Sequence, residues 1–289
     1  MEVTNKAKVR IAKTAGFCPG VKRAIKAVND LLAENCKVCT LGEIIHNSYV
    51  VDDFKNRGVV VVNSPLDVPK GYTVVIRSHG CTRNDLKYIE DFGIPFFDAT
   101  CPFVKKIQNI VNLNEHNREI LLAAGDANHP EMVGIRSYFS GKSYVFRDKY
   151  ELESIIRQNR FIIDKSVLLL SQTTFSVSKW ENCANFIKCI FTNVVTYDTI
   201  CNATSLRQQE AKKLSKSSDL IIVVGGRKSS NTKKLCEICQ KNTQTVQVEF
   251  AQDLPDGIGK KFQKIGIVSG ASTPIQLVEE IKNRLEKNR

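Results

Sequence analysis

Three stretches of the chain share a pattern suited to holding metal. They are Gly16-Phe17-Cys18-Pro19-Gly20-Val21-Lys22, Ala99-Thr100-Cys101-Pro102-Phe103-Val104-Lys105 and the looser Thr199-Ile200-Cys201-Asn202-Ala203-Thr204. Each cysteine follows a strand-like run and opens a helix-like one, and Asp98 and Asp198 precede the second and third. Proline suits a first helical turn because its missing N–H would lack a partner there anyway. A helix N-terminus favours negative charge, and a thiolate bound to iron is such a charge. One such cysteine would as readily be a packing residue; three copies of one turn favour a ligand set. Three thiolates also leave one iron of a four-iron cluster open to substrate, where it can act as a Lewis acid.

Three of the four histidines stand at strand-to-helix turns: His46 in LGEIIHN, His79 in IRSHG and His129 in GDANHPE. Ligands of open α/β sheets bind outside the carboxyl ends of strands. Two further turns, Gly225–Thr232 with Ser229, Ser230 and Asn231, and 269–274 with Ser272, combine glycines, hydroxyls and a helix start. That is a general recipe for binding phosphate. Neither has the P-loop or GxGxxG spacing, so ATP and NAD are not indicated. Together with the histidines these turns suggest a cradle for a diphosphate. Glu131 stands two residues after His129, and Gln172-Thr173-Thr174 ends an apolar strand; a carboxyl and a hydroxyl beside an open iron could relay protons. Taken singly, Glu131 also reads as a first-turn acid that favours the helix dipole. His116 lies in a polar run and carries no hypothesis.

The other cysteines are weighed against this set. Cys36/Cys39 and Cys236/Cys239 have CxxC spacing, yet neither pair sits in a glycine-rich knuckle, so packing is favoured over a four-thiolate zinc site. Cys81, Cys183 and Cys189 read as packing residues too. Ten cysteines without a secretory signal fit a reducing compartment. The charge of +12 fits an anionic substrate or an acidic protein partner, and no nucleic-acid motif accompanies it.

Strands are expected at 9–15, 37–42, 59–62, 73–78, 94–98, 120–125, 167–172, 193–198, 220–225 and 264–269, with helices between them. Alternation of this kind predicts α/β architecture with mostly parallel sheets. The spacing of the cysteine turns suggests three pseudo-symmetric domains around a central cluster: 1–100 with Cys18, 101–196 with Cys101, and 197–289 with Cys201. No run is apolar enough for a membrane span or a signal peptide. The expected location is a bacterial cytoplasm, or a plastid-type organelle after removal of a transit segment.

Taken in order, AGFCPGVKRAI, LGEIIHN, RSHG, DATCPFVKK, HPE, QTT, DTICNAT, SSN and GAS form a recognisable set. Over about residues 9–285 the sequence resembles the IspH/LytB family of 4-hydroxy-3-methylbut-2-enyl diphosphate reductases of the non-mevalonate isoprenoid pathway. The resemblance implies one 4Fe-4S cluster (3Fe-4S if oxidised) held by Cys18, Cys101 and Cys201. His46, His79, Ser229, Ser230, Asn231 and Ser272 would hold the diphosphate. Glu131 would supply a proton, with His129 and Thr173 nearby. Electrons would come from a ferredoxin- or flavodoxin-like protein, to a monomer or weak homodimer that binds neither nucleic acid nor membrane. Two other classes stay open: a non-redox iron–sulfur hydro-lyase, and a nucleic-acid-binding protein with a structural metal.

Overall fold

The computed structural model describes residues 8–287. Strands β1 (Lys8–Ile11), β2 (Val38–Leu41), β3 (Val60–Val62), β4 (Thr73–Ile76), β5 (Phe96–Asp98), β6 (Ile120–Ala124), β7 (Lys142–Phe146), β8 (Val167–Ser171), β9 (Val194–Thr196), β10 (Leu220–Val224), β11 (Gln244–Val248) and β12 (Lys264–Ser269) run among eleven helices. The helices are α1 (Pro19–Ala33), α2 (Ser48–Asn56), α3 (Arg83–Asp91), α4 (Pro102–Asn114), α5 (Pro130–Arg136), α6 (Lys149–Gln158), α7 (Val177–Ile190), α8 (Asn202–Ser215), α9 (Ser230–Gln240), α10 (Ile258–Lys261) and α11 (Ile275–Lys287).

The strands form three four-stranded sheets, β3-β2-β4-β5, β7-β6-β8-β9 and β11-β10-β12-β1. Every pairing within them is parallel. All three repeat one order: the first strand of the set lies between the second and the third, and the fourth closes the far edge. The third sheet takes its fourth strand from the N-terminus, with Lys8 opposite Lys264 and Ile11 opposite Ile267. Here the structure differs from a first domain running from residue 1 to 100. The strand at 8–11 is legible from its β-branched residues, but its partner is more than 250 residues away.

The chain divides into two compact units. One comprises 20–45 and 50–201 and holds the sheets centred on β2 and β6. The other comprises the described parts of 1–19, 46–49 and 202–289 and holds the sheet centred on β10.

Central strands read as continuous apolar runs because both of their faces are covered. On β10, Leu220, Ile222 and Val224 enter one core, with Ile265, Ile267, Val278 and Ile281. Ile221 and Val223 enter the other, with Leu235, Cys236, Cys239 and Val268. β6 does the same, sending Ile120, Leu122 and Ala124 one way and Leu121 and Ala123 the other. Helix α4 buries Val104, Ile107, Gln108 and Val111, the stripe that its spacing presents to the sheet. Two strands, β7 (KSYVF) and β11 (QTVQV), were not expected from the sequence. Both are edge strands, half-buried and rich in polar residues, so they lack the apolar run that marks the central strands.

Burial decides most of the spare thiols, but Cys189, expected to pack, is exposed at the end of α7, and Cys36 is only partly buried. Cys39, Cys183, Cys236 and Cys239 lie within apolar cores. Burial pushes their thiols up to about 11, and that of Cys239 to about 12. Such thiols pack as small apolar side chains. Changing Cys236 or Cys239 to Ala should leave iron content per chain unchanged and lower unfolding free energy by about 1 kcal/mol. Iron analysis of the purified variant and a urea titration check both halves of that prediction.

Candidate active site

Each of the three cysteines follows the fourth strand of a sheet: Cys18 after β1, Cys101 after β5, Cys201 after β9. The N–H of each donates to a carbonyl two residues beyond the third strand of the same sheet. Cys18 donates to Ala271 at 3.0 Å, Cys101 to Ser78 at 2.9 Å and Cys201 to Thr173 at 3.0 Å. The repeat seen in the sequence is thus one backbone connection made three times. Asp98 Oδ1 accepts from Thr100 N–H at 2.9 Å and Asp198 Oδ1 from Ile200 N–H at 3.1 Å, so both aspartates turn the chain ahead of their cysteine. Burial opposes the charge on Asp98. Hydrogen bonds from Thr100 and Lys105 outweigh it and hold the carboxyl below its ordinary range.

Two arginines brace these turns. Arg23 on α1 donates to the carbonyls of Thr100 at 3.0 Å and Asp98 at 2.9 Å. Buried Arg207 on α8 donates to the carbonyl of Gly16 at 2.7 Å. Neither was picked out in the sequence. The available signal was position: each stands five or six residues past a cysteine, on the helix that the cysteine opens.

The larger unit carries the acid. Glu131, in the first turn of α5, is 2% exposed. Its Oε1 accepts from Thr173 N–H at 2.7 Å and its Oε2 from Thr173 Oγ at 2.8 Å. Burial pushes the carboxyl up to about 7 against these two hydrogen bonds, which favour the charged form. Thr173 is therefore a bridge: its carbonyl takes the N–H of Cys201 and its other two polar groups hold Glu131. His129 caps α5, with Nδ1 accepting from Glu131 N–H at 3.2 Å, so a neutral ring carries its proton on Nε2. The ring of His79 meets that of His129 edge-on, with centroids 5.3 Å apart. Gly80, at φ +77°, lets the His79 turn reverse; a Cβ there would lie 2.7 Å from Gln108 Nε2, which donates to the carbonyl of Cys81.

The smaller unit carries the anion-binding candidates. His46, Ser229, Ser230, Asn231 and Ser272 all belong to it, as does Cys18. Ser272 Oγ donates to the carbonyl of His46 at 3.1 Å. Gly226 permits close approach of the same loop, since a Cβ would lie 2.9 Å from that carbonyl. Ser229 caps α9, its Oγ accepting from Thr232 N–H at 3.3 Å. Asn231 is 3% exposed, and neither its amide oxygen nor its amide nitrogen has a partner among the described residues. A buried amide in that state costs free energy until a polar ligand satisfies it, which fits a phosphate oxygen.

Sheet equivalence reveals one residue that the sequence reading did not single out. His79, Thr174 and Ser272 each stand three residues past the third strand of their sheets. Thr174 thereby joins the candidates. His46, His129 and Ser229 are related likewise, each five residues past a first strand.

The donor set fits an iron–sulfur cluster. Cys18, Cys101 and Cys201 are partly exposed, unlike the thiols packed in the cores, and their soft sulfurs suit iron. A family model described as LytB protein matches residues 9–286. The chain belongs to the LytB family. The 4-hydroxy-3-methylbut-2-enyl diphosphate reductase of Caldanaerobacter subterraneus subsp. tengcongensis is 38% identical over 283 residues, covering 96% of each chain. That of Clostridioides difficile is 36% identical over 279 residues, covering 96% of this chain and 99% of the relative. A solved structure of (E)-4-hydroxy-3-methyl-but-2-enyl diphosphate reductase, described as the terminal enzyme of the non-mevalonate pathway, superposes with a TM-score of 0.68 at 34% identity, covering 96% of this chain and 99% of that one. The E-1-hydroxy-2-methyl-but-2-enyl-4-diphosphate reductase from Plasmodium falciparum superposes with a TM-score of 0.88 at 28% identity, covering 96% and 87%. The three parallel α/β sheets match this LytB architecture, and membership of the family makes the chain an iron–sulfur protein in general terms. Among the described residues no helix is long and apolar enough to cross a membrane.

Glu131 gives a pH test that needs no assay. Its folded pKa of about 7 lies above the ordinary 4.5, so its contribution to stability is complete below pH 4.5. That contribution is lost as the pH rises from 4.5 through about 7, by roughly 3 kcal/mol at 1.36 kcal/mol per unit. Urea unfolding of the native chain and of Glu131→Gln, at intervals from pH 5 to pH 8, should show the native chain losing ground to the variant across that window. Parallel curves would remove the raised pKa.

Proposed function

We propose that this chain reduces 4-hydroxy-3-methylbut-2-enyl diphosphate to isopentenyl and dimethylallyl diphosphate. The LytB relatives support this reading: the curated proteins and solved structures described above carry the name of that reductase. The observation in this chain that carries it is Thr173, which ties a carboxyl titrating near 7 to the turn of Cys201.

Cys18, Cys101 and Cys201 would hold the cluster, which we take to be 4Fe-4S from the three-thiolate set. When bound, the cluster supplies the two electrons and a Lewis-acidic iron with a position not taken by protein. The overall change breaks the allylic C–O bond, adds two electrons and two protons, and releases the hydroxyl as water; the second proton lands on either end of the allyl unit. His46, His79, Ser229, Ser230, Asn231 and Ser272 would bind the diphosphate through hydrogen-bond donors. Near neutral pH a large share of Glu131 keeps its proton, because burial disfavours the carboxylate. The protonated acid can donate from Oε2 to Thr173 Oγ, whose own hydroxyl proton is then available to substrate. His129 stiffens the first turn of α5 and directs its Nε2–H outward from that cap. Electrons would come from a ferredoxin- or flavodoxin-like protein.

Replacing any of Cys18, Cys101 and Cys201 by Ala should abolish the brown colour and the turnover of protein purified without oxygen. Glu131→Gln should keep its iron and its colour but lose 10²–10⁴-fold in kcat, the usual range for general acid catalysis, given as a rough estimate. A non-redox hydro-lyase would turn over without any reductant. Product analysis with and without reduced methyl viologen separates the two chemistries.

A further inference from the structure

We propose that Arg207 is a positioning residue that makes the hold on Cys18 depend on whether an anion fills the Ser272 turn. The proposal rests on the reading of Cys18 as a cluster ligand and of Ser272 as a diphosphate ligand.

The residue two before each cysteine meets the last residue of the third strand, and the three sheets close that contact differently. In the sheet centred on β2, Ala99 N–H donates to the carbonyl of Ile76 at 3.1 Å. In the sheet centred on β6, the Thr199 hydroxyl donates to the carbonyl of Ser171 and accepts from its N–H. Both contacts are made by the two segments they join. In the sheet centred on β10 the residue is Gly16, at φ +96°, a left-handed backbone that glycine adopts without strain. It has no side chain to send to Ser269, and its N–H goes to Ser269 Oγ at 3.0 Å. The Ser269 carbonyl takes its donor from a third segment instead. Arg207 Nη1 reaches it at 3.4 Å, and Nη2 donates to the Gly16 carbonyl at 2.7 Å. Arg207 thus stands in for the side chain that Thr199 supplies in the sheet centred on β6.

The two carbonyls that Arg207 joins lead directly to the two sites. Gly16 precedes Cys18 by two residues, and Ser269 precedes Ser272 by three. Cys18 N–H donates to the carbonyl of Ala271, next to Ser272. The Ser272 hydroxyl donates to the His46 carbonyl at 3.1 Å, so it must turn from that carbonyl to bind a phosphate oxygen. Any shift of residues 269–272 that accompanies this exchange reaches the Cys18 turn through the same contacts. The backbone and serine bonds are neutral and let the turns pivot. The guanidinium is a planar fork held by charge-assisted bonds, and it fixes the spacing of the two carbonyls. Its helix is anchored to the same segment one turn later, where Glu210 accepts from the N–H groups of Lys13 and Thr14 at 2.7 and 2.8 Å. Arg207 is also a charge only 5% exposed, beside two turns whose proposed occupants are both anionic. A cluster and a diphosphate repel one another, and a cation bonded to both turns offsets that repulsion. Filling one turn therefore favours filling the other, in both directions.

The cluster-loaded wild type is compared with Arg207→Gln, which removes the charge, and Arg207→Lys, which keeps it but lacks the fork. Inorganic pyrophosphate is the probe, since it carries no alcohol to meet the iron. Anaerobic calorimetry gives its Kd for each protein. Loss of the brown colour in air is then timed with and without saturating pyrophosphate. We expect pyrophosphate to slow the bleaching of wild type by about fivefold or more, the low end of ordinary coupling. The protection should shrink in Arg207→Lys and vanish in Arg207→Gln. Should Arg207→Gln take up no iron, the shrinkage in Arg207→Lys decides. An arginine that merely stabilised the fold would leave the protection ratio unchanged, because its loss would quicken bleaching equally with and without pyrophosphate. Shielding of the cluster by the anion itself would also survive both substitutions. An unchanged ratio therefore overturns the proposal, as does a wild type that binds pyrophosphate without protection. A wild type that binds no pyrophosphate, or holds no cluster, overturns the anion reading or the cluster reading, and the proposal with it.

Discussion

The hydrogen bond from a cysteine N–H to the carbonyl two residues past the third strand is the constraint on which the rest of the site depends. It occurs once per sheet, at 2.9–3.0 Å each time. A single such bond contributes about 1 kcal/mol net. Its importance is geometric: it fixes where the fourth strand ends, so it fixes where the following helix starts and where the thiol stands at that helix N-terminus. The carbonyl it uses belongs to Ser78, Thr173 or Ala271, immediately before His79, Thr174 or Ser272. Candidate metal ligand and candidate substrate ligand are therefore positioned by one short stretch of backbone in each sheet.

The fold was legible in the sequence to the extent that its signals are local. The apolar runs of β6, β8, β10 and β12 declare buried parallel strands, and Cys-Pro declares the starts of α1 and α4. The partnership of β1 with β12 is not local. Lys8–Ile11 reads as a strand anywhere, and only the closing of the third sheet assigns it a neighbour. β7 and β11 fail differently: most of their residues are only partly buried at a sheet edge, so their composition is that of a polar turn as much as of a strand.

The site divides along the same line. The cysteines, histidines and serines announce themselves because they recur together at strand-to-helix turns, where ligands of α/β sheets bind. Glu131 could be named but not understood. Its helix-start position suits a solvated first-turn acid, and only the burial under Thr173 turns it into a group that titrates near neutrality. Arg23 and Arg207 were invisible because an arginine on an amphipathic helix is ordinarily a solvated charge. Arg207 is instead buried with its guanidinium on the Gly16 carbonyl, a role that depends on where another segment passes.

Repetition of the backbone leaves the side chains free to differ, and their differences follow the task. Five residues past the first strand of each sheet stand His46, His129 and Ser229; three past the third strand stand His79, Thr174 and Ser272. Identical geometry thus presents imidazole or hydroxyl at equivalent points. The two units use that freedom differently. The smaller combines one imidazole with three serines and a buried amide that has no partner among the described residues, all groups able to donate to an anion. The larger adds the one carboxyl that burial keeps partly protonated near pH 7. A solvated carboxyl would have lost its proton by pH 7. On the proposed roles, binding and proton supply demand opposite surroundings, and the buried turn of the larger unit supplies the one that keeps Glu131 partly protonated.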